Sequence, residues 1–484
     1  MSTTRRQFLK ATAAGASIAA LTPGLLAGCT ESQVPPDAGW SRVPEILARI
    51  EPPTFPDRDF DITEYGAVGD READATEAFE DAVTACHEAG GGRVVVPEGD
   101  FLSGPIHLRS NVNLHVTEGA TIRFVRDPSR YLPAVYTRWE GMELMNYSPL
   151  IYAFEEENVA VMGAGTLDGQ ANTDYWWPWK GQPEDGWSEG EPRQKEARDR
   201  LMTMVDDGVP VEERVFGEDS YLRPSFIQPY RCENVFIEGV EIIRSPMWEI
   251  HPVLSTNVTV RGVTVESHGP NNDGCNPESC TDVLIEDCYF DTGDDCIALK
   301  SGRNEDGRRI GAPIENVIVR NCTMRDGHGG VVIGSEMSGG ARNIFAEDCE
   351  MDSPNLDRIL RIKTNSIRGG TVEDVYMRNI EVGEVGGSIV RVNFLYEEGD
   401  AGEHEPTVRR IDVRGINADR CERVVNLRGY EDSPIQDVTL ADCRLSNVAG
   451  ESTIEHVENL TLENVTVNGT AVTYNAERGT IEAI

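Results

Sequence analysis

Residues 234–240 read Asn-Val-Phe-Ile-Glu-Gly-Val, and this seven-residue pattern of polar and apolar positions recurs along the chain. The repeats begin at Asn158, Asn234, Asn257, Asp282, Asn316, Asn343, Asp374, Arg410, Asp437 and Asn459. Most starts lie about two to three dozen residues apart, and each unit contains short alternating strands interrupted by Gly, Asn or Asp, which is typical of β-solenoids. We therefore predict an all-β fold, a right-handed parallel β-helix (solenoid).

The last position of each repeat indicates how the coils stack. If each coil adds one turn to the solenoid, these residues form a single interior column. The column is predicted to contain Val240, Val263, Cys288, Cys322, Cys349, Ile380, Ile416, Cys443 and Val465. Four members are cysteines, which we interpret as small apolar core residues. Disulfides between them are not expected, because neighbours in such a column rarely have bridging geometry.

An N-terminal capping helix is predicted ahead of the first repeat. Asp74 is a helix-capping residue with Glu77 three positions later. The apolar residues that follow on one helical face are Ala78, Phe79, Ala82, Val83 and Cys86. Glycines at 90–92 end the helix. A single amphipathic helix in this place is expected to cover the open end of the stacked strands.

Residues 1–28 are predicted to be a twin-arginine signal peptide. Residues 4–10 carry the arginine pair, and a small and apolar run follows. Residues 26–29, Leu-Ala-Gly-Cys, look like a lipobox, which predicts cleavage before Cys29 and a lipid on its sulfur. The alternative is a plain signal followed by an unmodified Cys29. We expect export to an extracellular or cell-surface location, with the lipid on Cys29 as the membrane anchor.

The composition of the remaining residues indicates a linker followed by one domain that contains an insert. Residues 29–56 are rich in Pro and lack periodicity, which predicts a linker. Residues 57–484 are predicted to form one catalytic β-helix domain. Within it, residues 170–225 break the repeat and contain Trp-Trp-Pro-Trp at 176–179. We interpret this segment as an ordered insert over a cleft, and leave open whether its tryptophans bind sugar or only pack.

The charge balance excludes several partners. The net charge is −39, with 83 acidic and 44 basic residues. Such a surface repels nucleic acid and anionic lipid, so neither is expected as a partner, and membrane contact is expected only through a lipid at Cys29. We predict a halophilic, monomeric protein. At molar salt the Debye length is about 3 Å, so repulsion between the chain and an acidic substrate is screened.

Repeat phase places four titratable residues together. Asp294 and His328 each lie twelve residues after the start of their repeats, Asp282 and Asn316. Because stacked strands lie about 4.8 Å apart, the two side chains are expected to be neighbours. Asp273 and Asp295 form a second pair, because each lies two residues before an apparent inward position that opens the next strand. We therefore expect three carboxylates and an imidazole on one face.

Two interpretations of this cluster stay open. One is a calcium site, since Asp clusters are suited to hard cations. The other is acid–base catalysis, in which crowding raises the pKa of one carboxyl while another stays ionised. His328 favours catalysis, because hard cations prefer oxygen ligands. The sequence Arg361-Ile362-Lys363 then predicts two cations on the outer face of a nearby strand, which suits a substrate with carboxylates, a uronic acid polymer.

The combined motifs resemble glycoside hydrolase family 28, the polygalacturonases. The likeness rests on Asn271-Asn272-Asp273-Gly274, Gly293-Asp294-Asp295-Cys296, Gly327-His328-Gly329 and Arg361-Ile362-Lys363, in that order. It covers most of residues 57–470, including the Tyr-Gly-Ala-Val-Gly-Asp opening at 65–70. The resemblance implies cofactor-free and metal-free inverting hydrolysis of polygalacturonate or pectic oligosaccharides.

Carried over by motif, the resemblance also implies residue roles. Asp294 is expected to be the general acid, while Asp273 and Asp295 position and deprotonate the attacking water. His328 tunes the acid by a hydrogen bond. The residues expected to bind the substrate are Arg361, Lys363 and Asn271.

The chain departs from the family pattern at several points. Asn272 stands where the family has Thr. An extra Gly330 follows the His motif, and the run at 333–340 with the long insert resembles exo-acting bacterial members. The alternatives are a calcium-dependent pectate lyase or a rhamnogalacturonan-type hydrolase on the same fold, and a non-catalytic adhesin that presents a sugar-binding face.

Overall fold

The computed structural model describes residues 39–484, of which most regular structure is strand, 46% of residues. Strands of successive coils pair in parallel and form a right-handed parallel β-helix, which confirms the predicted fold class. None of the helices in the described range is long and apolar enough to cross a membrane. Residues 1–38, with the predicted signal and Cys29, lie outside the described residues.

The described part of the chain contains 37 strands. The first nineteen are β1 (Asp59–Asp61), β2 (Asp70–Asp74), β3 (Gly92–Val96), β4 (Gly99–Ser103), β5 (Ile106–His107), β6 (Val112–Val116), β7 (Ala120–Phe124), β8 (Val135–Trp139), β9 (Met142–Asn146), β10 (Ile151–Phe154), β11 (Glu157–Gly163), β12 (Thr166–Asp168), β13 (Ile227–Tyr230), β14 (Glu233–Glu238), β15 (Glu241–Ile243), β16 (Thr256–Arg261), β17 (Thr264–Ser267), β18 (Thr281–Glu286) and β19 (Tyr289–Thr292). The others are β20 (Ile297–Leu299), β21 (Ile314–Arg320), β22 (Thr323–Met324), β23 (Val331–Ile333), β24 (Ala341–Glu347), β25 (Glu350–Ser353), β26 (Leu360–Lys363), β27 (Thr371–Val385), β28 (Ser388–Asn393), β29 (Thr407–Arg420), β30 (Arg423–Arg428), β31 (Ile435–Ala441), β32 (Arg444–Leu445), β33 (Thr453–Glu455), β34 (Val457–Glu463), β35 (Val465–Val467), β36 (Thr470–Asn475) and β37 (Thr480–Ala483).

Helices are few and short. The α-helices are α1 (Val43–Leu47), α2 (Thr76–Glu88), α3 (Lys195–Asp206) and α4 (Asn304–Ile310). Single 3-10 turns lie at Trp40–Arg42, Ile62–Tyr65, Pro128–Tyr131, Trp177–Lys180, Pro183–Asp185 and Val211–Glu213. The predicted capping helix is confirmed as α2, whose buried face consists of the five apolar residues expected from the sequence. Its N-cap is Ala75 rather than the predicted Asp74, which accepts a hydrogen bond from the Thr76 N–H at 3.0 Å.

The first residue of each repeat adopts a left-handed backbone conformation, which turns the chain. All ten starts have φ between 54 and 58°. Asn and Asp tolerate this left-handed conformation better than most residues with side chains. The amides also bond between coils: Asn234 Nδ2 donates to Asn158 Oδ1 and Asn343 Nδ2 to Asn316 Oδ1, each at 2.9 Å. The polar start therefore both turns the chain and ties one coil to the next.

The interior column is confirmed. Each of its nine residues is 3% exposed or less. Parallel pairing keeps the column in register, since Val258 lies opposite Val235 and Val283 on the neighbouring coils. The ten cysteines of the described residues are all buried and unpaired.

The linker predicted over residues 29–56 is wrong for its described part. Residues Trp40–Leu47 form a 3-10 turn and α1, and they pack on the outside of the β-helix. The cluster there consists of Trp40, Val43, Ile46, Ile50, Leu284, Ile318 and Phe345. The last three occupy outward strand positions of β18, β21 and β24. Covering them removes apolar surface from water, which stabilises the segment.

One sheet positions the candidate site. Strands β20, β23, β26, β28, β30 and β33 form a six-stranded parallel sheet. The register places Ala298, Val332, Arg361, Arg391 and Asn426 opposite one another on consecutive strands. Residues between them, such as Ile362, point inward and are fully buried.

The segment at 170–225 is ordered. Helix α3 packs against the antiparallel hairpin β8–β9. Their shared apolar cluster consists of Trp139, Met142, Leu144, Ala197, Leu201, Val205, Phe216, Leu222, Met247 and Trp248. Because Trp248 belongs to a coil of the β-helix, this cluster joins the insert to the solenoid beside the sheet that carries the site.

Candidate active site

Three aspartates meet at the beginning of strand β20 and on the coil before it. A bridge between Cys275 and Ile297 sets the two coils in register, so Asp273 and Asp295 lie side by side. One oxygen from each of Asp273, Asp294 and Asp295 lies within 4.8 Å of the others. Asp273 and Asp295 are buried, whereas the Asp294 side chain is 20% exposed. Asp294 is therefore the carboxylate that a molecule in the cleft can reach.

His328 lies directly beside Asp294, as the repeat phase predicts. Its Nδ1 lies 3.0 Å from Asp294 Oδ1, and its backbone N–H donates to the Asp294 carbonyl at 3.1 Å. The backbone bond fixes the imidazole against the carboxylate, because the two coils pair at this point.

Two cations of β26 contact the cluster from the other side. Lys363 Nζ donates to Asp295 Oδ2 at 2.6 Å, and Arg361 Nη1 donates to Asp295 Oδ1 at 3.3 Å. Their alternation around buried Ile362 is the one predicted for a strand. Both cations therefore neutralise Asp295 and also line the cavity described below.

A cavity of about 440 Å³ opens over the cluster. Its lining residues are Glu140, Lys180, Gly181, Gln182, Arg193, Gln194, Lys195, Arg198, Trp248, Asn271, Asp273, Asp294, Lys300, Arg303, His328, Ser335, Glu336, Arg361, Lys363, Tyr396 and Glu397. The insert contributes the run from Lys180 to Gln182 and residues of the 193–198 stretch. The insert thus forms one wall of the cavity, with four basic side chains in it.

The tryptophans of the insert pack rather than face the cavity. Trp176 is 3% exposed and lies against Tyr131 and Trp179 in edge-to-face contacts. Trp177 donates its indole N–H to the Ser245 carbonyl at 2.9 Å. These contacts anchor the insert and leave its polar residues to line the cavity.

With this geometry, comparison with known proteins identifies the family. Residues 216–473 match the family model described as Glycosyl hydrolases family 28. The chain belongs to this family. It is a glycosidase, and its four motif regions supply the cluster described above.

Relatives of this family 28 glycosidase include plant and bacterial proteins. The chain is 29% identical over 402 residues to a probable polygalacturonase of Vitis vinifera, covering 79% of this chain and 73% of the relative. It is 25% identical over 411 residues to the exo-poly-alpha-D-galacturonosidase of Dickeya chrysanthemi, covering 81% and 64%. The crystal structure of a hyperthermoactive exopolygalacturonase from Thermotoga maritima superposes with a TM-score of 0.87 at 48% identity, covering 89% of this chain and 96% of that one.

The carboxylates of this family 28 site differ in their affinity for protons. Burial and the charge of Asp294 raise the pKa of Asp273 to about 8, despite the nearby ammonium of Lys300. Burial raises the pKa of Asp294, but the hydrogen bond with His328 and the neighbouring cations outweigh it and hold this pKa below its usual range. The same hydrogen bond raises the pKa of His328. Asp273 therefore binds a proton more readily than Asp294 does, and the two carboxyls titrate as one coupled pair.

We expect activity to fall as pH rises through about 8. A raised pKa means that the protonated form persists below this value and is lost above it, and without that proton the pair has no acid to donate. The measurement is kcat/KM against pH at constant salt. Stability is followed in parallel by thermal unfolding, so that loss of the fold is separated from titration. An activity that stays level from pH 7 to pH 10 would contradict this assignment.

The two asparagines of the first motif have different surroundings. Asn271 lines the cavity, and its Oδ1 accepts from Lys180 Nζ at 2.7 Å and from Arg223 Nη2 at 2.8 Å. Asn272 is fully buried, and its amide bonds the backbone at Ser245 and Met247. The replacement of the family's Thr by Asn272 therefore places an amide that holds the loop carrying Asp273.

Sequence reasoning missed several charged residues of the cavity. Lys300 is buried, 3.7 Å from Asp273 Oδ2 and 3.0 Å from Glu336 Oε2. Arg303 is also buried and lies near Glu140 and Glu336. Only Lys300 had a signal in the sequence: lysine is scarce in this chain, and this one directly follows the strand that begins after Asp295. The other contacts join residues that are far apart in sequence.

Proposed function

We propose that the chain is an exo-acting polygalacturonase, which hydrolyses α-1,4-galacturonosyl bonds of polygalacturonan at one end of the chain. The observation that carries this proposal is the reachable carboxyl of Asp294, set against two buried aspartates and two cations inside a cavity walled by the insert. The similarity to proteins named exopolygalacturonase and exo-poly-alpha-D-galacturonosidase supports it.

The proposed acid is Asp294. It is the most exposed of the three carboxyls, so it can approach a glycosidic oxygen. Its proton comes from Asp273, because one oxygen of each carboxyl lies within 4.8 Å of the other, a separation that one bridging water can span. Transfer to Asp294 leaves Asp273 ionised, and Asp273 with Asp295 then positions water and accepts its proton. His328 holds Asp294 in place and sets the strength of this acid through the hydrogen bond at Nδ1.

The proposed substrate contacts follow from the charge of a uronate. Arg361 and Lys363 line the cavity. The Arg361 guanidinium keeps a donor beyond the one bonded to Asp295, since its Nε has no hydrogen-bond partner in the described residues. A sugar carboxylate placed there gains charge-assisted hydrogen bonds. Asn271 is proposed as a further contact at the insert side of the cavity.

Exo action is proposed from the wall formed by the insert. Lys180 bonds to Asn271 beside the cluster, and Arg198 bonds to Glu140 of the β8–β9 hairpin at 2.7 Å. These contacts cross the end of the cleft on the side of the earlier coils. A wall there admits a chain terminus and excludes a chain that continues in both directions.

The calcium-dependent lyase fits this site less well. Lys300 and Lys363 already bring ammonium groups to Asp273 and Asp295, and a divalent cation in the same place would be repelled by both. The rhamnogalacturonan-type hydrolase differs only in its subsites, so its test is substrate choice. A protein that only binds sugar has no need for a carboxyl with a raised pKa such as that of Asp273, so the site favours an enzyme over an adhesin.

We further propose export of this enzyme through the twin-arginine signal, with a lipid on Cys29, and function as a monomer in a salt-rich medium. The N-terminal motif and the net charge of −39 support these statements. Mass spectrometry of the mature protein tests the lipid, because a lipidated N-terminal peptide begins at Cys29.

The test of function is incubation of the mature protein with polygalacturonate and chelator at high salt. Reducing ends and unsaturated uronide absorbance are followed together. Reducing ends without unsaturation, released as monomer or dimer from the start, are the expected result. Random oligomers would contradict exo action, and unsaturation that chelator abolishes would support the lyase. Absence of product on polygalacturonate, with product on rhamnogalacturonan, would move the assignment to that polymer.

The anomer of the first product tests the stereochemistry. The family resemblance implies inversion. Acid and base carboxyls of inverting glycosidases usually lie about 6.5–9.5 Å apart, whereas oxygens of this cluster lie within 4.8 Å of one another. Proton NMR of early product is expected to show the inverted β-anomer, and the α-anomer would instead assign one aspartate as a nucleophile.

A further inference from the structure

The outer face of the six-stranded sheet continues past the cluster as a row of basic residues. Arg391 on β28 lies opposite Arg361 on β26. In the neighbouring column, Asn393 on β28 lies opposite Lys363 on one side and Arg428 of β30 on the other. Strands in the stack are about 4.8 Å apart. Cations therefore recur along the stacking direction on the side away from the insert.

Arg391 differs from most arginines of this protein. Val390 and Val392 are buried on either side of it, so its side chain leaves the core on the outer face. Its guanidinium makes neither an ion pair nor a hydrogen bond with any residue between 39 and 484. Burial and the charges of Arg358 and Arg361 lower the pKa of Arg391 to about 10.

Arg391 has no ion-pair partner within contact distance among the described residues. Asp357 attracts its charge from further away, but that carboxylate is already paired with Arg358 at 2.7 Å. The chain has 83 acidic residues, and most of its arginines are paired with one or more of them. Packing two guanidinium groups on adjacent strands costs Coulomb energy and confers no contact in return. A bound anion would remove that cost, so the arrangement is suited to a ligand with a carboxylate.

The direction in which the polymer would lie along the stacked coils indicates which ligand reaches Arg391. A chain that touches Asp294 and then Arg361 runs along the stack, from earlier coils to later ones. The insert blocks the earlier coils, where Arg223 bonds the carbonyls of Pro246 and Pro270. The remainder of the polymer therefore leaves over β28 and β30.

We propose that Arg391 binds the carboxylate of a uronate residue in the departing part of the substrate, beyond the sugar that contacts Arg361 and Lys363. Arg428 lies one strand further, but it is paired with Glu455 at 3.6 Å and is not part of this subsite. The inference rests on the proposed polyuronate hydrolysis and adds a subsite that makes the enzyme prefer long chains over short ones.

The test compares Arg391→Ala with the parent enzyme on digalacturonate and on oligogalacturonates of three to six residues. We expect kcat/KM to fall about tenfold on the longer substrates, the loss typical of one charge-assisted contact, and to change less than twofold on the dimer. Arg391→Lys should recover part of the loss. The effect should shrink as salt is raised, because screening weakens the contact.

The matched control is Arg444→Ala. Arg444 likewise has no ion pair among the described residues, but it is exposed and lies on β32 in the other sheet. It should leave the chain-length dependence unchanged. Equal losses on dimer and hexamer with Arg391→Ala, or no loss on either, would overturn the subsite. Failure of the parent enzyme to cleave any of these substrates would instead overturn the proposed function.

Discussion

Asp294→Asn is expected to lower kcat on polygalacturonate by about 10²- to 10⁴-fold, the usual contribution of a general acid. The amide keeps the size of the side chain and an oxygen that accepts from His328, so the fold and substrate binding should persist. It cannot donate a proton of comparable acidity to the leaving oxygen. The loss should therefore appear in kcat, with KM changed little, in initial-rate measurements of reducing ends.

Asp291→Asn is the control for this change. Asp291 lies near the cluster in sequence and beside His268, with 3.0 Å between Asp291 Oδ1 and His268 Nε2, but it does not line the cavity. Its substitution should leave kcat within about twofold. A wild-type rate for Asp294→Asn would refute the acid role. Loss of the folded state, seen by circular dichroism, would mean that the rate reports stability, and Asp294→Glu would then separate the two.

Lys363→Met is expected to lower both stability and productive binding. Asp295 is fully buried, and removal of its 2.6 Å partner leaves Arg361, at 3.3 Å, as the one cation among residues 39–484 that is still bonded to it. Removal of one partner from a buried ion pair costs about 3–5 kcal/mol, and the retained Arg361 places the expected loss near the lower end. In addition, kcat/KM should fall at least tenfold, because the uronate carboxylate loses a contact.

Two measurements separate these effects. Denaturant unfolding gives the change in free energy, and rates well below the unfolding transition give KM and kcat. Lys363→Arg should recover much of the stability because it keeps the charge. Arg478→Met, which breaks an exposed pair with Glu482, is the control for ion pairs and should cost less than about 1 kcal/mol. Unchanged stability and KM in Lys363→Met would contradict both roles.

The fold could be predicted because the sequence repeat specifies which residues contact one another. In a parallel stack, residues at the same offset in successive repeats become neighbours, so sequence phase translates directly into spatial position. That is why the column from Val240 to Val465 and the contact between Asp294 and His328 agree with the sequence prediction. The same rule placed Asp273 next to Asp295.

The error at residues 39–56 has a physical cause. The alternation of side chains along a strand identifies the outward positions, and outward side chains are expected to be exposed to solvent. Leu284, Ile318 and Phe345 are outward and apolar, yet a short helix near the N-terminus covers them. The sequence of that segment is too short and too rich in proline to indicate a helix, because its stability comes from this packing rather than from local propensity.

Local pattern and stacking with a fixed period are sufficient to predict the solenoid, the capping helix, the interior column and the four motif regions of the site. Which charges complete the cavity depends on the tertiary structure. Lys180 meets Asn271 and Arg303 meets Glu140 across 91 and 163 positions. Such contacts depend on how the insert and the hairpin fold back over the coils, and no period in the sequence encodes that distance.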